Sequence, residues 1–207
     1  MLIDLMKRSI SKSAIAILVL FAAAVLYRLT LGMAGNHSAW LPNFAPLSAI
    51  ALCGAIFFPR RFAFVLPIGA LFLSDIVLDL HYSVSVFSIE SLSRYVALAL
   101  VAGLGFALRS KPSGGRVLGA SVAGSTVFYI LTNTGSWLLA PEYVKNFAGW
   151  LQALTVGLPG FAPTYVFFRN TLVSDLLFTA LFVSCMAMMR KPAEAVAGTG
   201  EQLQTSA

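Results

Sequence analysis

The chain has 207 residues, of which 58% are hydrophobic and only 11% are charged, and its formal net charge is +6. A soluble domain is usually about half apolar and a quarter charged, so lipid is the expected solvent for much of this surface. Nucleic-acid-binding proteins cluster Lys and Arg on one face, whereas here the basic residues stand mainly at the ends of apolar runs. The composition excludes an ordinary soluble domain and argues against nucleic acid as a partner.

Six apolar segments of roughly membrane-spanning length follow one another along the chain. The breaks FFPRRF (57–62) and LRSKPSGGRV (108–117) combine basic residues with Pro or Gly, which end helices and anchor them at the membrane interface. The sequence therefore predicts an all-α polytopic membrane protein with one six-helix transmembrane domain over residues 1–191. The expected spans are about 14–33, 41–58, 62–80, 89–108, 117–139 and 171–189.

Two further segments are not predicted to span the membrane. Segment 142–168 is apolar, but two prolines and a glycine at 159–163 would break a straight helix. Because irregular backbone at membrane depth needs protein or a water-filled cavity around it, we predict an outer-face or re-entrant lid, partly helical near 143–157. The tail 192–207 is rich in Ala, Gly, Glu, Gln and Thr, and it is predicted to be disordered and cytoplasmic.

The basic residues predict the orientation of the spans, because loops on the cytoplasmic side carry an excess of Lys and Arg. With the N-terminus inside, ten of the fourteen basic residues fall on the inner side, which fits six spans with both termini in the cytoplasm. The inner set is Lys7, Arg8, Lys12, Arg60, Arg61, Arg109, Lys111, Arg116, Arg190 and Lys191. The outer set is Arg28, Arg94, Lys145 and Arg169.

Polar side chains other than lysine and arginine concentrate on the outer side of this topology, in the loops and at the outer ends of the spans. Small-molecule pockets usually combine apolar and aromatic walls with a few polar groups that orient the ligand. We therefore expect a substrate-binding site at the outer face. Its predicted residues are Asn43, Asp79, His81, Arg94, Asn133, Trp137, Arg169 and Asn170.

Two aspartates, Asp75 and Asp175, lie about a turn or more inside their predicted spans, where a carboxylate is costly unless it is paired or functional. Each one either caps a neighbouring helix or pairs with Arg169 or Arg94, or else it carries a proton. Asp79 lies one turn beyond Asp75 on the same helix face, but we place it at the outer mouth of the bundle, so the two carboxylates are not predicted to form a catalytic dyad.

Motifs for catalysis are absent from the sequence. It contains no GxxxxGK[ST] phosphate loop, no HExxH and no GxSxG, and neither its cysteines nor its histidines have metal-ligand spacing. We predict that the chain is not an enzyme and holds no cofactor and no metal of its own. The alternative of an intramembrane enzyme would use Asp75, Asp79 and His81 in acid–base or metal chemistry.

LPNFAPLSAIALCGAIFFPRRFAFVLPIGALFLSDIVLDLH (41–81) resembles the first half of a family of small bacterial membrane proteins that are assigned to transport without an established function. That family has a P-N-F-x-P loop, an A-x-A-L-x-G helix and an L-S-D motif. The resemblance continues in RVLGAS, LTNTGSWL and FFRNTLVSDLLFTALF, and it covers about residues 41–185.

The architecture of that family looks like the S components, the substrate-binding subunits, of energy-coupling-factor (ECF) vitamin transporters. The resemblance implies an outer-facing pocket for a small polar nutrient, a vitamin or related compound, in the bacterial inner membrane. It also implies an ECF-type ATPase module as partner, unless the bundle transports by itself. S components dock that module through an A-x-x-x-A face on the first span; here Ala51 and Ala55 in the second span have this spacing.

Cobalamin is the leading single substrate candidate under this resemblance, with His81 as an axial ligand of its cobalt. Two other functions stay open from the sequence. One is a proton- or ion-coupled secondary transporter in which Asp75 and Asp175 titrate. The other is a structural membrane protein whose outer polar residues pair with one another.

Overall fold

The computed structural model describes residues 2–33, 44–60, 63–83 and 89–204, and within these ranges it contains seven helices and no strand. The predicted all-α class is confirmed for this part of the chain. The helices are α1 (Leu2–Met33), α2 (Leu47–Phe57), α3 (Val65–His81), α4 (Ile89–Leu108), α5 (Gly114–Leu139), α6 (Phe147–Leu154) and α7 (Thr164–Gln204).

Three helices are long and apolar enough to cross a membrane, at Ser91–Leu108, Gly114–Leu139 and Thr164–Met188. The hydrocarbon core is about 30 Å thick, and crossing it takes about 20 residues. The eleven residues of α2 span only about 16 Å, and α3 has 17 residues. The length and composition of three helices thus indicate a membrane protein, and three of the six predicted spans reach membrane-crossing length in the described residues.

Prolines explain why two helices begin at residues other than the predicted ones. α2 begins at Leu47 rather than near residue 41, directly after the non-helical residue Pro46, while 41–43 lie outside the described residues. α7 begins at Thr164 rather than near 171. A proline fixes φ and lacks an N–H, so it is favoured just before a helix or in its first turn, where an N–H would have no intrahelical partner.

The segment 142–168, predicted to be partly helical near 143–157, contains the short helix α6 and the first residues of α7, 164–168. Helix α7 continues through the C-terminal segment as far as Gln204, and the predicted disorder of 192–207 stays a prediction. Residues 205–207 lie outside the described residues.

Helix α2 lies at the centre of the bundle and packs against α1, α3, α4, α5 and α7. Nine of its eleven residues are buried, and Ile50 and Leu52 join Leu98, Val101 and Phe182 in the apolar core. A helix that is apolar on all sides is stable only when other elements surround it. The surrounding helices therefore provide the environment that this sequence needs.

Both ends of α2 are satisfied by charged side chains from other parts of the chain. At its N-terminus, Asp175 of α7 accepts a hydrogen bond from the Ala49 backbone N–H at 2.9 Å. At its C-terminus, Arg109 donates to the Ala55 carbonyl at 3.0 Å and also to the Phe58 carbonyl. The unpaired N–H and carbonyl groups at the ends of a buried helix cannot reach water, and an acidic group at the N-terminus and a guanidinium at the C-terminus also suit the helix dipole.

Small residues let the helices of the core approach closely. A Cβ added to Gly105 of α4 would lie 2.5 Å from the Leu52 carbonyl oxygen of α2 and 3.0 Å from the Ala55 Cβ. Ala51 and Ala55, the small pair with the spacing of a docking face, have no exposed surface. These alanines therefore serve packing within the bundle and are not available as a surface for a partner.

Two glycines of α4 provide a matched test of this close packing. Gly105→Ala is expected to lower the free energy of unfolding by about 1–3 kcal/mol, because its Cβ would overlap the α2 backbone. Gly103→Ala meets no heavy atom within 4 Å, so it should be neutral or stabilise by up to about 1 kcal/mol. Thermal unfolding of the purified protein in detergent measures both, and equal midpoints for the two variants would contradict the packing.

Candidate functional site

A cavity of about 440 Å³ lies between α5, the loop after α6 and the first two turns of α7. Small-molecule sites in proteins usually measure about 300–1,000 Å³, so its volume suits a ligand of modest size. Aromatic rings, hydroxyl groups and one carboxamide form the wall, and no charged side chain is among the described lining residues. The lining residues are Phe128, Tyr129, Thr132, Asn133, Ser136, Ala140, Tyr143, Gly157, Leu158, Phe161, Ala162, Thr164, Phe167 and Thr171.

The polar wall of the cavity comes from one face of α5, where lining residues recur at helical spacing. Three of them donate hydrogen bonds back to their own helix. Thr132 Oγ1 donates to the Phe128 carbonyl at 2.8 Å, Asn133 Nδ2 to the Tyr129 carbonyl at 2.8 Å, and Ser136 Oγ to the Thr132 carbonyl at 3.2 Å. These bonds hold the three side chains in defined orientations along the cavity.

Hydrogen bonds attach the segment after α5 to the helix beneath it. Trp150 Nε1 of α6 donates to Thr134 Oγ1 of α5 at 2.9 Å, and the Tyr129 hydroxyl donates to the Leu154 carbonyl. At the far end of the segment, the Tyr165 N–H donates to the Thr155 carbonyl at 3.1 Å. The segment therefore covers the cavity while it is tied to both of the helices that form the walls.

The loop over the cavity turns at two glycines, Gly157 and Gly160, whose φ angles are +70° and +88°. Glycine adopts this left-handed region at no steric cost. The first turn is further closed by Gln152, whose Nε2 donates to the Gly157 carbonyl at 2.9 Å. A Cβ on Gly157 would also lie 2.7 Å from Thr164 Oγ1, so the turn depends on glycine at this position.

Tyr143, in the loop between α5 and α6, is a buried lining residue of the cavity. Burial raises the pKa of its phenol above the ordinary value, and the negative charge of Glu142 raises it further. The hydroxyl therefore stays neutral at physiological pH and is a hydrogen-bond donor. This agrees with the uncharged character of the rest of the lining.

A second polar group, which we name the aspartate–arginine cluster, consists of Asp75 with Arg28, Ser74, Arg94 and Tyr95. Arg28 forms an ion pair with Asp75 Oδ1 and donates to the Ser74 hydroxyl. On the other carboxylate oxygen, Arg94 Nη2 lies at 3.3 Å and the Tyr95 hydroxyl donates at 2.6 Å. Because these residues belong to three helices, the cluster ties α1, α3 and α4 together.

Asp175 lies elsewhere, between α2, α5 and α7, with 0% of its surface exposed. Besides the Ala49 N–H, its carboxylate has the Ser125 hydroxyl at 2.7 Å. The same hydroxyl lies 2.9 Å from the Ser121 carbonyl, and Thr179 Oγ1 donates to the Ser121 hydroxyl at 3.0 Å. In the described part of the chain, the ion pairs formed by arginines involve Asp75 and not Asp175.

The predicted binding residues are only partly brought to the cavity. Asn133 lines it. Arg169 and Asn170 are between the lining residues Phe167 and Thr171 of α7 but are not lining residues themselves, and Arg169 Nε donates to Asn170 Oδ1 at 3.1 Å. Asn43 lies outside the described residues.

Four other predicted residues lie away from the cavity lining. Asp79 and His81 are in the last turn of α3, with His81 exposed. Arg94 belongs to the aspartate–arginine cluster. Trp137 uses its Nε1 to donate to the Val144 carbonyl at 2.9 Å. The structure therefore does not gather the predicted set into one pocket, because its members lie on different faces and helices of the bundle.

The sequence reasoning did not select several residues that the structure brings to these sites. The hydroxyls of Thr132 and Ser136 stand four residues apart, and that spacing signals one helix face. Arg28 stood in an apolar run, where a charge implies a buried partner. Among the described residues, no three His, Cys, Asp or Glu side chains are grouped so that they could hold a metal ion.

The helical architecture and three apolar helices of membrane-crossing length indicate a helical membrane protein. The chain belongs to the Family of unknown function (DUF6580), whose model matches residues 8–196. No curated protein and no solved structure matches the chain. The family description names no activity, so the comparisons give no support by name to the resemblance to transporters.

Isosteric substitutions should separate the two buried aspartates. Asp75→Asn leaves Arg28 buried without its counter-charge, so we expect the free energy of unfolding to fall by about 3–5 kcal/mol. Asp175→Asn keeps an oxygen for the Ala49 N–H and supplies an N–H for the Ser125 hydroxyl oxygen, so the loss should stay below about 1.5 kcal/mol. Thermal unfolding in detergent measures both variants. Equal losses would contradict the assigned environments.

Proposed function

We propose that this chain is a membrane-embedded substrate-binding protein for the uptake of a small polar nutrient, a vitamin or related compound. The observation that carries the proposal is the cavity between α5, the loop after α6 and α7. Its volume of about 440 Å³ suits a small molecule. Its aromatic residues provide surfaces for ring stacking, and its hydroxyl and carboxamide groups provide the few polar contacts that orient a ligand.

We infer the orientation of the chain in the membrane from the positive-inside rule. With six spans and both termini in the cytoplasm of a bacterial inner membrane, the loop over the cavity faces outward. A ligand would then enter from the outside, beneath a segment whose bonds to α5 include those of Trp150 and Tyr129. Release of these side-chain bonds is the kind of opening that lid segments undergo.

Transport would need a source of energy. An ECF-type ATPase module is the partner that the S-component resemblance implies, and autonomous movement of the bundle is the alternative. Ala51 and Ala55 are fully buried, so a docking face for such a module would use another surface. The exposed apolar residues of α1 include Leu18, Val19 and Leu26. Helix α1 contains the first predicted span, and the S-component resemblance implies docking through the first span.

Cobalamin receives no particular support from this geometry. Its cobalt would need His81 as an axial ligand, and His81 is not one of the residues that line the cavity. A corrin ring with its axial groups is also much larger than the drug-sized ligands that cavities of this volume hold. A smaller ligand fits the described cavity better.

Filling the cavity should abolish binding while it leaves the fold intact. We expect a small molecule to co-purify with the wild-type protein and to be lost from Ser136→Phe, since Ser136 lines the cavity. The matched control is Leu138→Phe, whose side chain is exposed on the same helix and should leave the bound molecule in place. Native mass spectrometry of the detergent-solubilised protein measures occupancy.

A circular dichroism melt would show that the Ser136→Phe protein is folded. If folded wild-type protein carries no small molecule in any growth condition, or if both variants retain one equally, the proposed function fails.

A second candidate function is proton-coupled transport, and the surroundings of Asp175 favour this residue over Asp75 as its proton carrier. Asp75 is committed to its ion pairs, whereas Asp175 is held by neutral groups of α2 and α5. The Ser125 hydroxyl can donate either to Asp175 or to the Ser121 carbonyl. Asp175 and Ser125 can therefore stay hydrogen-bonded to each other whether the Asp175 carboxyl group is charged or protonated. The neighbouring titratable group is the buried Cys53 of α2.

Proton flux separates this candidate from simple binding. In liposomes that contain the protein and an entrapped pH-sensitive dye, proton coupling predicts internal acidification when the co-purified molecule is added outside. Asp175→Asn should reduce that rate at least about ten-fold, because a carboxamide carries no proton at this position. An unchanged rate, or no acidification with wild-type protein, would leave Asp175 as a helix cap.

A further inference from the structure

We propose that the cavity selects neutral molecules that direct hydrogen-bond donors, hydroxyl or N–H groups, toward α5. This inference rests on the proposed function and specifies its substrate class. Three observations carry it, namely the hydrogen bonds of the α5 wall, the uncharged lining and the aromatic residues on the remaining sides. Each leads to one property of the ligand.

The first property follows from the side-chain hydrogen-bond donors of α5 that are already bonded to carbonyl groups of the same helix. Thr132, Asn133 and Ser136 each direct a donor to a carbonyl of their own helix. A hydroxyl has one donor and two lone pairs, and a carboxamide oxygen is only an acceptor. The groups that remain for a ligand on this wall are therefore the acceptors Thr132 Oγ1, Asn133 Oδ1 and Ser136 Oγ, together with the second N–H of the Asn133 carboxamide.

A ligand that presented acceptors to Thr132 and Ser136 would set lone pairs against lone pairs. It would have to turn each hydroxyl away from the helix and break a bond of 2.8 Å at Thr132 or 3.2 Å at Ser136. A ligand that presents donors forms its hydrogen bonds without that cost. Thr132 and Ser136 are one turn apart, about 5–6 Å between Cβ atoms, which sets the spacing of two such donors.

The second property, neutrality, follows from the lining itself. No Asp, Glu, Lys or Arg is among the described residues that line the cavity. A charged ligand would lose part of its hydration against this lining without gaining a counter-charge, which is unfavourable. The donors are therefore hydroxyl, amide or uncharged amine groups rather than ammonium.

The third property comes from the sides of the cavity that face α5. Phe161 of the loop and Phe167 of α7 contribute aromatic rings there, which favour an apolar or ring-shaped face on the ligand. The cavity's own donors, the hydroxyls of Tyr143 and Thr164, also lie outside α5. A ring that bears hydroxyl or amino groups on one edge satisfies all three conditions.

Two probes with the same heavy-atom skeleton test the donor preference. Meta-benzenedimethanol carries two hydroxyl donors, and meta-benzenedicarbaldehyde carries two carbonyl acceptors in the same positions. Ligand-observed saturation-transfer NMR on the full-length protein in detergent measures both dissociation constants. We expect the dialcohol to bind at least about ten-fold more tightly. The dialdehyde binding as tightly or more tightly would overturn the inference.

Substitution of one wall residue provides the second readout. Thr132→Val removes an acceptor at constant shape and should reduce the preference for the dialcohol several-fold. Thr126→Val is the matched control, since Thr126 makes the same 2.8 Å bond to its own helix but is not a lining residue; the preference should persist. A preference that Thr132→Val leaves unchanged would contradict the role of the α5 wall.

The failure of this inference differs from failure of the proposed function. If wild-type protein binds a molecule that Ser136→Phe excludes, the cavity is a binding site whatever the chemistry of that molecule. A charged molecule there, or one that has only acceptor groups, would overturn the donor inference alone. The absence of any molecule sensitive to Ser136→Phe would overturn the proposed function itself.

Discussion

The structure depends on satisfying the two ends of a short buried helix. Helix α2 is only eleven residues long and almost entirely buried, so its terminal N–H and carbonyl groups lie within the protein rather than in water. A carboxylate from α7 and a guanidinium from the end of α4 meet those groups. Without them, burial of α2 would leave polar backbone groups unpaired inside the protein, which costs about 1–3 kcal/mol for each group.

The same constraint positions the candidate site. Because Asp175 fixes α7 against the N-terminus of α2, the turns of α7 that precede it are held in place at one side of the cavity. Ser125 and Ser121 connect that region of α7 to α5, which forms the opposite wall. The loop between them is tied down at Trp150 and Tyr165, so the cavity is a consequence of how three elements are anchored.

Local sequence patterns were enough to predict the helical class and the polar character of the α5 wall of the cavity. The apolar runs predicted helices in the positions of α1 to α5 and α7, and Asn133 was selected because it stands among polar residues at the end of an apolar run. Helix starts were shifted where Pro46 and Pro163 precede them. Arg94 was selected as a ligand-binding residue, but its partner is Asp75 of another helix. Side-chain pairing between helices has no signature in the spacing of one helix.

The sequence by itself determined that this chain is helical and apolar, because composition and apolar run length depend on each residue separately and not on its neighbours in space. It also limited the roles of Asp75 and Asp175 to pairing, capping or proton transfer. Only the tertiary structure decided which partner each aspartate has. Asp75 pairs with Arg28, 47 positions away in the sequence, and Asp175 accepts from the Ala49 N–H, 126 positions away. Contacts over such separations depend on how the helices pack, and packing is a property of the whole bundle.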